Sequence, residues 1–260
     1  LNDVQETFSE DLESARKAAV KKSSYFHLDD TGAKLTGQNY YTYVMSTEYY
    51  CEYKTLRRKN KDAVKEALGI FSKMKFLVSD DGTNFKGLFK NHQLCWIHEI
   101  RKYKLCEVFK RIESETLEKL LKKWRKFYHS LKKYVRNPSI EMRQKIEKDF
   151  DEIVTTKLCV RPLDRQLELS LKNKDRLLLF LKFPHLPIQN NLAERDLRER
   201  VMKRKISLQN RSIQGMRAWD LMLSLMNTCR KIGLSYWDYL RDRVYGTENI
   251  YYLGKIINAA

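Results

Sequence analysis

Residues 24–56 read SYFHLDDTGAKLTGQNYYTYVMSTEYYCEYKTL, and this stretch decides the class of fold. It contains three runs rich in aromatic and β-branched residues, which are YFHLDD from Tyr25, QNYYTYVMS from Gln38 and EYYCEYKTL from Glu48. This composition favours strands, whereas the TG (31–32) and TGQN (36–39) segments, which follow the first run, favour turns. Three consecutive strands joined by short turns predict an antiparallel meander.

The residues that follow the meander alternate between helix and strand patterns. Asn60–Ser72 has apolar residues at helical spacing, and KFLVS (75–79) is typical of a buried strand. HQLCWIH (92–98) predicts a further strand that passes into a basic helix, EIRKYKLCEVFKRI (99–112). The predicted order, β-β-β-α-β-α-β, indicates an α/β protein with a mixed sheet that opens with the meander.

Helical patterns flank this sheet on both sides. The first segment, to about Lys22, has a helix-forming composition. After residue 110, apolar spacing predicts helices over 117–135, 140–154 and 162–182, and a Pro-His-Leu-Pro breaker follows. A helix capped by Asn190 or Asn191 comes next. The last apolar helix is predicted over Gln214–Ile232, with Gly233 as its C-cap.

Composition excludes several classes of protein and indicates one kind of partner. The formal net charge is +18, from 51 Lys and Arg against 33 Asp and Glu, and residues 101–148 alone hold 16 basic against 6 acidic side chains. A solvated surface needs charge but not one sign of charge, so this excess predicts a polyanion partner. A hydrophobic content of 42% argues against global disorder. The longest apolar run, Leu177–Leu181, is too short to span a membrane.

The five cysteines are odd in number and widely spaced, which predicts a reducing compartment and no disulfide framework. One short segment, His92-x-x-Cys95-x-x-His98, offers three metal ligands, but its apolar setting is better explained by a buried strand. The residues after Leu1 form no apolar leader, and the chain is expected to be part of a longer protein.

Three carboxylates stand where an acid is costly unless it is paired or bound to a cation. Asp29 follows an apolar strand run, Asp80 ends the KFLVS strand, and Glu194 shares a helical stripe with Leu197 and Val201. Each has a simpler explanation, since the aspartates could be turn residues and Glu194 could pair with Arg198. Together they are the hard oxygen ligands that a pair of divalent cations needs for phosphodiester chemistry.

Several motifs carry a family resemblance. NNLAERDLR (190–198), followed by Arg204-Lys205, resembles the glutamate-bearing block of the insertion sequence 66 family of transposases, which are ribonuclease H-like DDE enzymes. LCWIHEIRKY (94–103) resembles that family's Cys-Trp-x-His-x-Arg-Arg-Lys-Phe block. HLDDTGAKLTG (27–37) and LVSDDGTNF (77–85) resemble its two aspartate blocks. The resemblance extends from about Phe26 to Leu240.

The resemblance implies a ribonuclease H-like core, interrupted by a helical insertion, in which Asp29, Asp80 and Glu194 form the catalytic triad. It also implies Mg²⁺ or Mn²⁺ as cofactor, with two ions bound by these three carboxylates. Alignment of Phe85 with the family's aromatic residue selects Asp80 over Asp81. The sequence departs from the family pattern at three positions, with Asp30 in place of Glu, Asp81 in place of Gly and Ile100 in place of the first Arg of its block.

DNA is the partner that follows from the resemblance and from the charge. The predicted DNA-binding residues are Arg101, Lys102, Arg195, Arg198, Arg204 and Lys205. Arg195 and Arg198 could instead orient Glu194. His98 is a candidate for placing the scissile phosphate, or it could be hydrogen-bonded at a strand-helix junction. Asn191 is a second auxiliary candidate, since it matches a family position near the glutamate.

These observations predict a transposase catalytic domain that cleaves DNA and transfers a strand, acting as a homo-oligomer in a synaptic complex. Two alternatives stay open, a nuclease without strand transfer and an inactive DNA-binding remnant. The expected location is the bacterial cytoplasm, on the nucleoid when DNA is bound. The predicted segments are an N-terminal helical segment (1–24), the first part of the core (25–110), the basic insertion (111–183) and the glutamate-bearing part of the core (184–260).

Overall fold

The computed structural model describes the backbone of residues 2–260 and the side chains of residues 6–260. Its first elements are α1 (Asn2–Lys22), β1 (Tyr25–Leu35), β2 (Gln38–Ser46), β3 (Cys51–Leu56), α2 (Lys61–Leu68), a 3-10 turn (Gly69–Lys73), β4 (Phe76–Ser79) and β5 (Asn91–Leu94). The helices that follow are α3 (Trp96–Lys104), α4 (Arg111–Arg136), α5 (Ile140–Val154), α6 (Arg161–Lys172), α7 (Lys174–Leu177), α8 (Leu179–Lys182), α9 (Asn191–Ser207), α10 (Ile213–Lys231), α11 (Tyr236–Tyr245) and α12 (Leu253–Ala259).

The strands form one mixed sheet in the order β3-β2-β1-β4-β5. β1 pairs antiparallel with β2, from His27 opposite Ser46 to Leu35 opposite Gln38, and β2 pairs antiparallel with β3. The predicted meander is therefore confirmed. Its first hairpin turns through Thr36 and Gly37, whose φ values of 45° and 80° suit a tight turn between twisted strands.

The turn predicted at Thr31-Gly32 is wrong, because β1 continues through these residues to Leu35. Gly32 lies opposite Tyr41 in the ladder with β2, and its carbonyl accepts a hydrogen bond from Arg204 Nη1 at 2.6 Å. A glycine weakens a strand, but the residues before and after Gly32 also pair with β2, and this pairing outweighs the local preference for a turn.

The strand predicted over residues 92–98 is wrong in its second half. β5 ends at Leu94 and Trp96 begins α3, and a short apolar run fits a buried helix as well as a strand. The helix predicted over 99–112 ends at Lys104, and α4 starts at Arg111. Between β4 and β5 the described residues form turns and irregular structure, so the helix in the predicted order at this point is absent.

The single helix predicted over 162–182 is also wrong, since α6, α7 and α8 are three separate pieces. The carbonyl of Leu177 accepts a hydrogen bond from Trp96 Nε1 at 2.8 Å, and the amide of Phe180 donates to Gln93 Oε1 at 2.9 Å. Because side chains from β5 and α3 satisfy these backbone groups, the helix does not need to continue through them.

The chain divides into two compact units. The first unit holds residues up to Leu77, Gly82–Lys90 and Asn191–Ala260, and the second holds Val78–Asp81 and Asn91–Asn190. The core of the second unit is an aromatic cluster of Trp96, Tyr103, Trp124, Phe127 and Phe150. None of the helices within residues 2–260 is both long and apolar enough to cross a lipid bilayer.

Candidate functional site

Asp29 lies in the interior of β1, in the first unit, with a half-buried side chain. It is directly opposite Val44 of β2, and directly opposite residues of an antiparallel pair point to the same face of the sheet. Val44 packs against Ala193 and Leu197 of α9. The Asp29 side chain therefore lies on the face of the sheet that α9 covers.

The neighbouring Asp30 points to the other face, where it is neutralised. Its Oδ2 forms an ion pair with Lys59 Nζ at 2.6 Å, and Asn84 Nδ2 lies 3.4 Å from its Oδ1. The backbone amide of Asp30 donates to Asp29 Oδ1 at 2.8 Å, which restricts the Asp29 carboxylate. Of the two adjacent aspartates, Asp30 is thus paired with a lysine, and Asp29 faces the helix that carries Glu194.

Glu194 lies in the first turn of α9 and is half-buried. The fully buried face of α9 consists of Ala193, Asp196, Leu197 and Arg200, so Glu194 stands at the margin of that face. Carboxylates near a helix N-terminus are favoured by the unsatisfied backbone amides there. Within the first unit, Asp29 and Glu194 are therefore brought to the same side of the sheet.

Buried polar contacts fix α9 against the sheet. Asp196 forms an ion pair with Lys231 of α10 at 2.8 Å and accepts a hydrogen bond from Ser46 Oγ. Arg200 donates to Thr42 and Thr55 on β2 and β3, both at 3.0 Å, and lies 3.4 Å from Asp220. Burial raises the pKa of Asp220 and lowers that of Arg200, although the pairing opposes both shifts. The position of Glu194 is set by this packing.

Asp80 belongs to the second unit and is the first residue after β4, whose four residues are all buried. It is half-buried, and its backbone carbonyl accepts a hydrogen bond from Ser79 Oγ at 2.8 Å. The structure thus places Asp80 at the carboxyl end of a buried strand, where α/β sheets commonly bind ligands.

A directed chain of hydrogen bonds ends at that carbonyl. Arg176 Nη2 lies 2.9 Å from His92 Nδ1, and His92 Nε2 lies 2.7 Å from Ser79 Oγ. A guanidinium can only donate, so Nδ1 accepts, Nε2 carries the proton and donates to Ser79, and Ser79 donates to Asp80. Burial, together with the charge of Arg176, lowers the pKa of His92 to about 3, which keeps the ring neutral. Arg176 thereby acts on the Asp80 peptide through two side chains.

Arg176 also holds Asp81. The Asp81 carboxylate accepts from Arg176 Nη1 at 2.8 Å, from Asn173 Nδ2 at 3.0 Å and from Lys102 Nζ at 3.2 Å. Burial alone would raise the pKa of Asp81, but Lys102 and Arg176 outweigh it and hold the pKa below its ordinary value. A cation could bind Asp81 only by displacing these contacts, which counts against Asp81 as the ligand at this strand end.

The predicted DNA-binding residues fall into two groups. Arg101, Arg195, Arg198 and Lys205 are exposed, and among the described residues none of the four forms an ion pair or side-chain hydrogen bond. Lys102 is held by Asp81 and Glu99, and Arg204 donates to Thr31 Oγ1 and the Gly32 carbonyl. The first group is available to phosphate, whereas the second already has partners within its own unit.

The two auxiliary candidates lie at helix beginnings. His98 is half-buried in the first turn of α3, and Asn191 is the exposed first residue of α9. Sequence reasoning considered His92 only as part of a possible metal pattern. It missed Ser79 and Arg176 around Asp80, and Asp196 and Lys231 around α9. Arg176 is 95 residues from Asp81, so no local pattern could have linked them.

The donor set suits a hard divalent cation, because all three candidates are carboxylates and Mg²⁺ and Mn²⁺ prefer oxygen ligands. Within two residues of each candidate lies another acid that forms an ion pair. Asp30 pairs with Lys59, Asp81 pairs with Arg176 and Lys102, and Asp196 pairs with Lys231. A cation would have to displace these basic side chains before Asp30, Asp81 or Asp196 could bind it.

Two comparisons with known proteins found similarity to this chain. A family model described as "Transposase IS66 family" matches residues 2–218. The uncharacterized protein y4jO of Sinorhizobium fredii (strain NBRC 101917 / NGR234) is 39% identical over 171 residues, which cover 65% of this chain and 52% of that protein. The chain thus spans about half the length of this curated relative.

Proposed function

The chain belongs to the Transposase IS66 family, and from this we propose that it is a transposase catalytic region that cuts DNA and joins the 3′-hydroxyl to target DNA. The observation that carries the proposal is the placement of three half-buried carboxylates. Asp29 lies on the face of the sheet that α9 covers, Glu194 lies in the first turn of α9, and Asp80 directly follows the buried strand β4.

We propose that Asp29, Asp80 and Glu194 supply the oxygen ligands for Mg²⁺ or Mn²⁺. A bound pair of these ions would activate a water or a 3′-hydroxyl and stabilise the leaving oxygen. The strand order supports the ligand choice, because β1, which carries Asp29, is next to β4, which Asp80 follows. The meander and the mixed sheet likewise support a ribonuclease H-like core.

DNA is the proposed substrate. Arg195 and Arg198 follow Glu194 on α9 and are exposed, which supports a proposed role in contacting backbone phosphate near the glutamate. Arg101 and Lys205 are exposed as well. The net charge of +18 supports the same assignment. We propose that two or more copies assemble on the transposon ends.

The test combines metal-dependent cleavage with substitution of each candidate ligand. The parent and the variants Asp29→Asn, Asp80→Asn and Glu194→Gln are incubated with a pre-cleaved end of the encoding element, a plasmid target and Mg²⁺ or Mn²⁺. Each variant should lose more activity than the roughly 10- to 100-fold expected for an outer partner of a metal ligand. Asp30→Asn and Asp81→Asn are the matched controls, because they remove a paired acid beside each aspartate.

The products separate the remaining possibilities. Joined DNA supports strand transfer, whereas metal-dependent nicking without joined products indicates a nuclease. Equal activity of the parent and the three variants, with or without added metal, would contradict the catalytic proposal and leave DNA binding as the function. Thermal melting of each variant confirms that it is folded.

A further inference from the structure

The connection between α3 and α4, together with the first turn of α4, carries three highly exposed apolar side chains. Leu105, Phe109 and Ile112 are 74%, 88% and 70% exposed. They lie within eight residues of one another, and the other large aromatic side chains nearby, such as Trp96 and Trp124, are fully buried. An exposed phenyl ring offers a flat face on which another aromatic ring can stack.

Hydrogen bonds fix the backbone at Phe109. Glu113, in the first turn of α4, accepts hydrogen bonds from the amides of Phe109 and Lys110 at 3.1 and 3.2 Å. These two amides also hold the pKa of Glu113 below its ordinary value. On the other side, the amide of Cys106 donates to the Tyr103 carbonyl at 3.2 Å. The ring is therefore presented to solvent on an ordered backbone.

The surroundings of this ring are basic. Lys104 and Lys110 are exposed beside it, and α4 continues with the exposed cations Lys119, Lys122, Lys123, Arg125, Lys126, Lys132, Lys133 and Arg136. Within the described residues no carboxylate lies within 4.0 Å of any of these ten charges. On α5, by contrast, Arg143 pairs with Glu147 and Lys148 with Glu152. The excess positive charge of this unit is thus concentrated on α4.

We infer that Phe109 and the exposed cations of α4 bind an unpaired segment of DNA, with one base stacked on the phenyl ring and the phosphates along the helix. An aromatic side chain combined with a basic track is the usual way to bind single strands, since every base has a face that can stack. The inference rests on the proposed function, because it takes DNA as the substrate. It adds a place where a base at a cleaved or frayed end would be held.

The stacking part is tested with an oligo-dT strand that carries a single 2-aminopurine. Phe109→Ala should bind this strand roughly 5- to 150-fold more weakly and should lose the quenching of 2-aminopurine, while Phe109→Trp should retain both. Trp237→Ala is the control, since Trp237 is a 74% exposed aromatic residue of the other unit. Equal binding and quenching by the parent and Phe109→Ala would overturn the inference, as would tighter binding of the same sequence made as RNA.

The phosphate part is tested by salt. Replacing Lys122, Arg125, Lys126 and Lys133 with Gln should reduce the slope of log K against log salt by about 0.7 for each phosphate that the variant no longer neutralises. Arg143→Gln with Lys148→Gln is the matched control on α5, and an equal slope in both variants would contradict a role for α4. Binding is measured without metal, so an absence of cleavage by the parent would count against the proposed function and not against this surface.

Discussion

At the scale of single residues, the acids of this protein come in neighbouring pairs with different environments. Asp30 and Asp81 each follow a candidate ligand directly, and each is paired with a basic side chain. A carboxylate already neutralised by a lysine or arginine is a poor ligand for a cation, because binding would first have to break that ion pair. The environment, and not the residue type, therefore counts against Asp30 and Asp81 as ligands.

The chain from Arg176 to Asp80 predicts a positioning role for His92 and Arg176. We expect His92→Phe and Arg176→Ala to raise the Mg²⁺ concentration needed for half-maximal cleavage by about 10- to 100-fold, because the Asp80 peptide loses its support. His92→Gln should restore part of the effect, since an amide can both accept from Arg176 and donate to Ser79. The measurement is a Mg²⁺ titration of cleavage rate.

Lys174→Gln is the control for this experiment. Lys174 lies on the same short helix as Arg176 but pairs with Asp151 at 2.6 Å. A purely structural role would reduce the amount of folded enzyme without moving the Mg²⁺ midpoint. An unchanged midpoint in His92→Phe and Arg176→Ala would therefore rule out positioning.

At the scale of the elements, α9 is held by polar contacts more than by an apolar stripe. Its buried face includes Asp196 and Arg200, whose partners come from β2, β3 and α10. Such buried pairs are costly when one partner is removed but specify how the helix sits. The pattern of Glu194, Leu197 and Val201 predicted an apolar stripe, whereas Val201 is only partly buried.

The packing of α1 on α12 predicts a sharp effect of one methyl group. A Cβ at Gly254 would lie 2.7 Å from the backbone carbon and oxygen of Ser14, which cannot move without shifting α1. We expect Gly254→Ala to reduce the free energy of unfolding by about 1–3 kcal/mol, measured by urea denaturation. In Gly32→Ala the nearest atom is Arg204 Nη1 at 3.4 Å, an ordinary contact, so that control should unfold close to the parent. Equal stability of both variants would mean that α1 and α12 can move apart at little cost in free energy.

At the scale of the whole molecule, the charge is the dominant property. A net charge of +18 over 260 residues repels itself and favours any polyanion that can neutralise it. The excess is unevenly distributed, since ion pairs neutralise the cations around Asp81 and Asp196 and leave those of α4 in solvent.

This charge predicts a steep salt dependence of binding to duplex DNA of unrelated sequence. We expect log K to fall by about 0.9 per contacted phosphate for each log unit of salt, which for ~6–10 contacts is about 10³ to 10⁵ between 50 and 200 mM. Fluorescence anisotropy over this range gives the slope. A flat response would show that phosphate contacts contribute little, and would count against DNA as the substrate.

The sequence alone predicted the local features. The meander, α1, α5 and α10 follow from composition and spacing, because aromatic alternation, helical periodicity and capping residues act over a few positions. The family also followed from local motifs, above all NNLAERDLR. The positions of Asp29, Asp80 and Glu194 in their elements were predicted, and their role as ligands stays a prediction.

Only the tertiary structure decided which basic side chains pair with Asp30, Asp81 and Asp196 and where helices stop. Side chains of Gln93 and Trp96 take the backbone groups that would have joined α7 to α8, and Arg176 reaches Asp81 and His92 across more than 80 residues. Such contacts depend on which elements the fold brings together. A residue's own neighbours in sequence carry no information about them, since burial and pairing are set by distance in space.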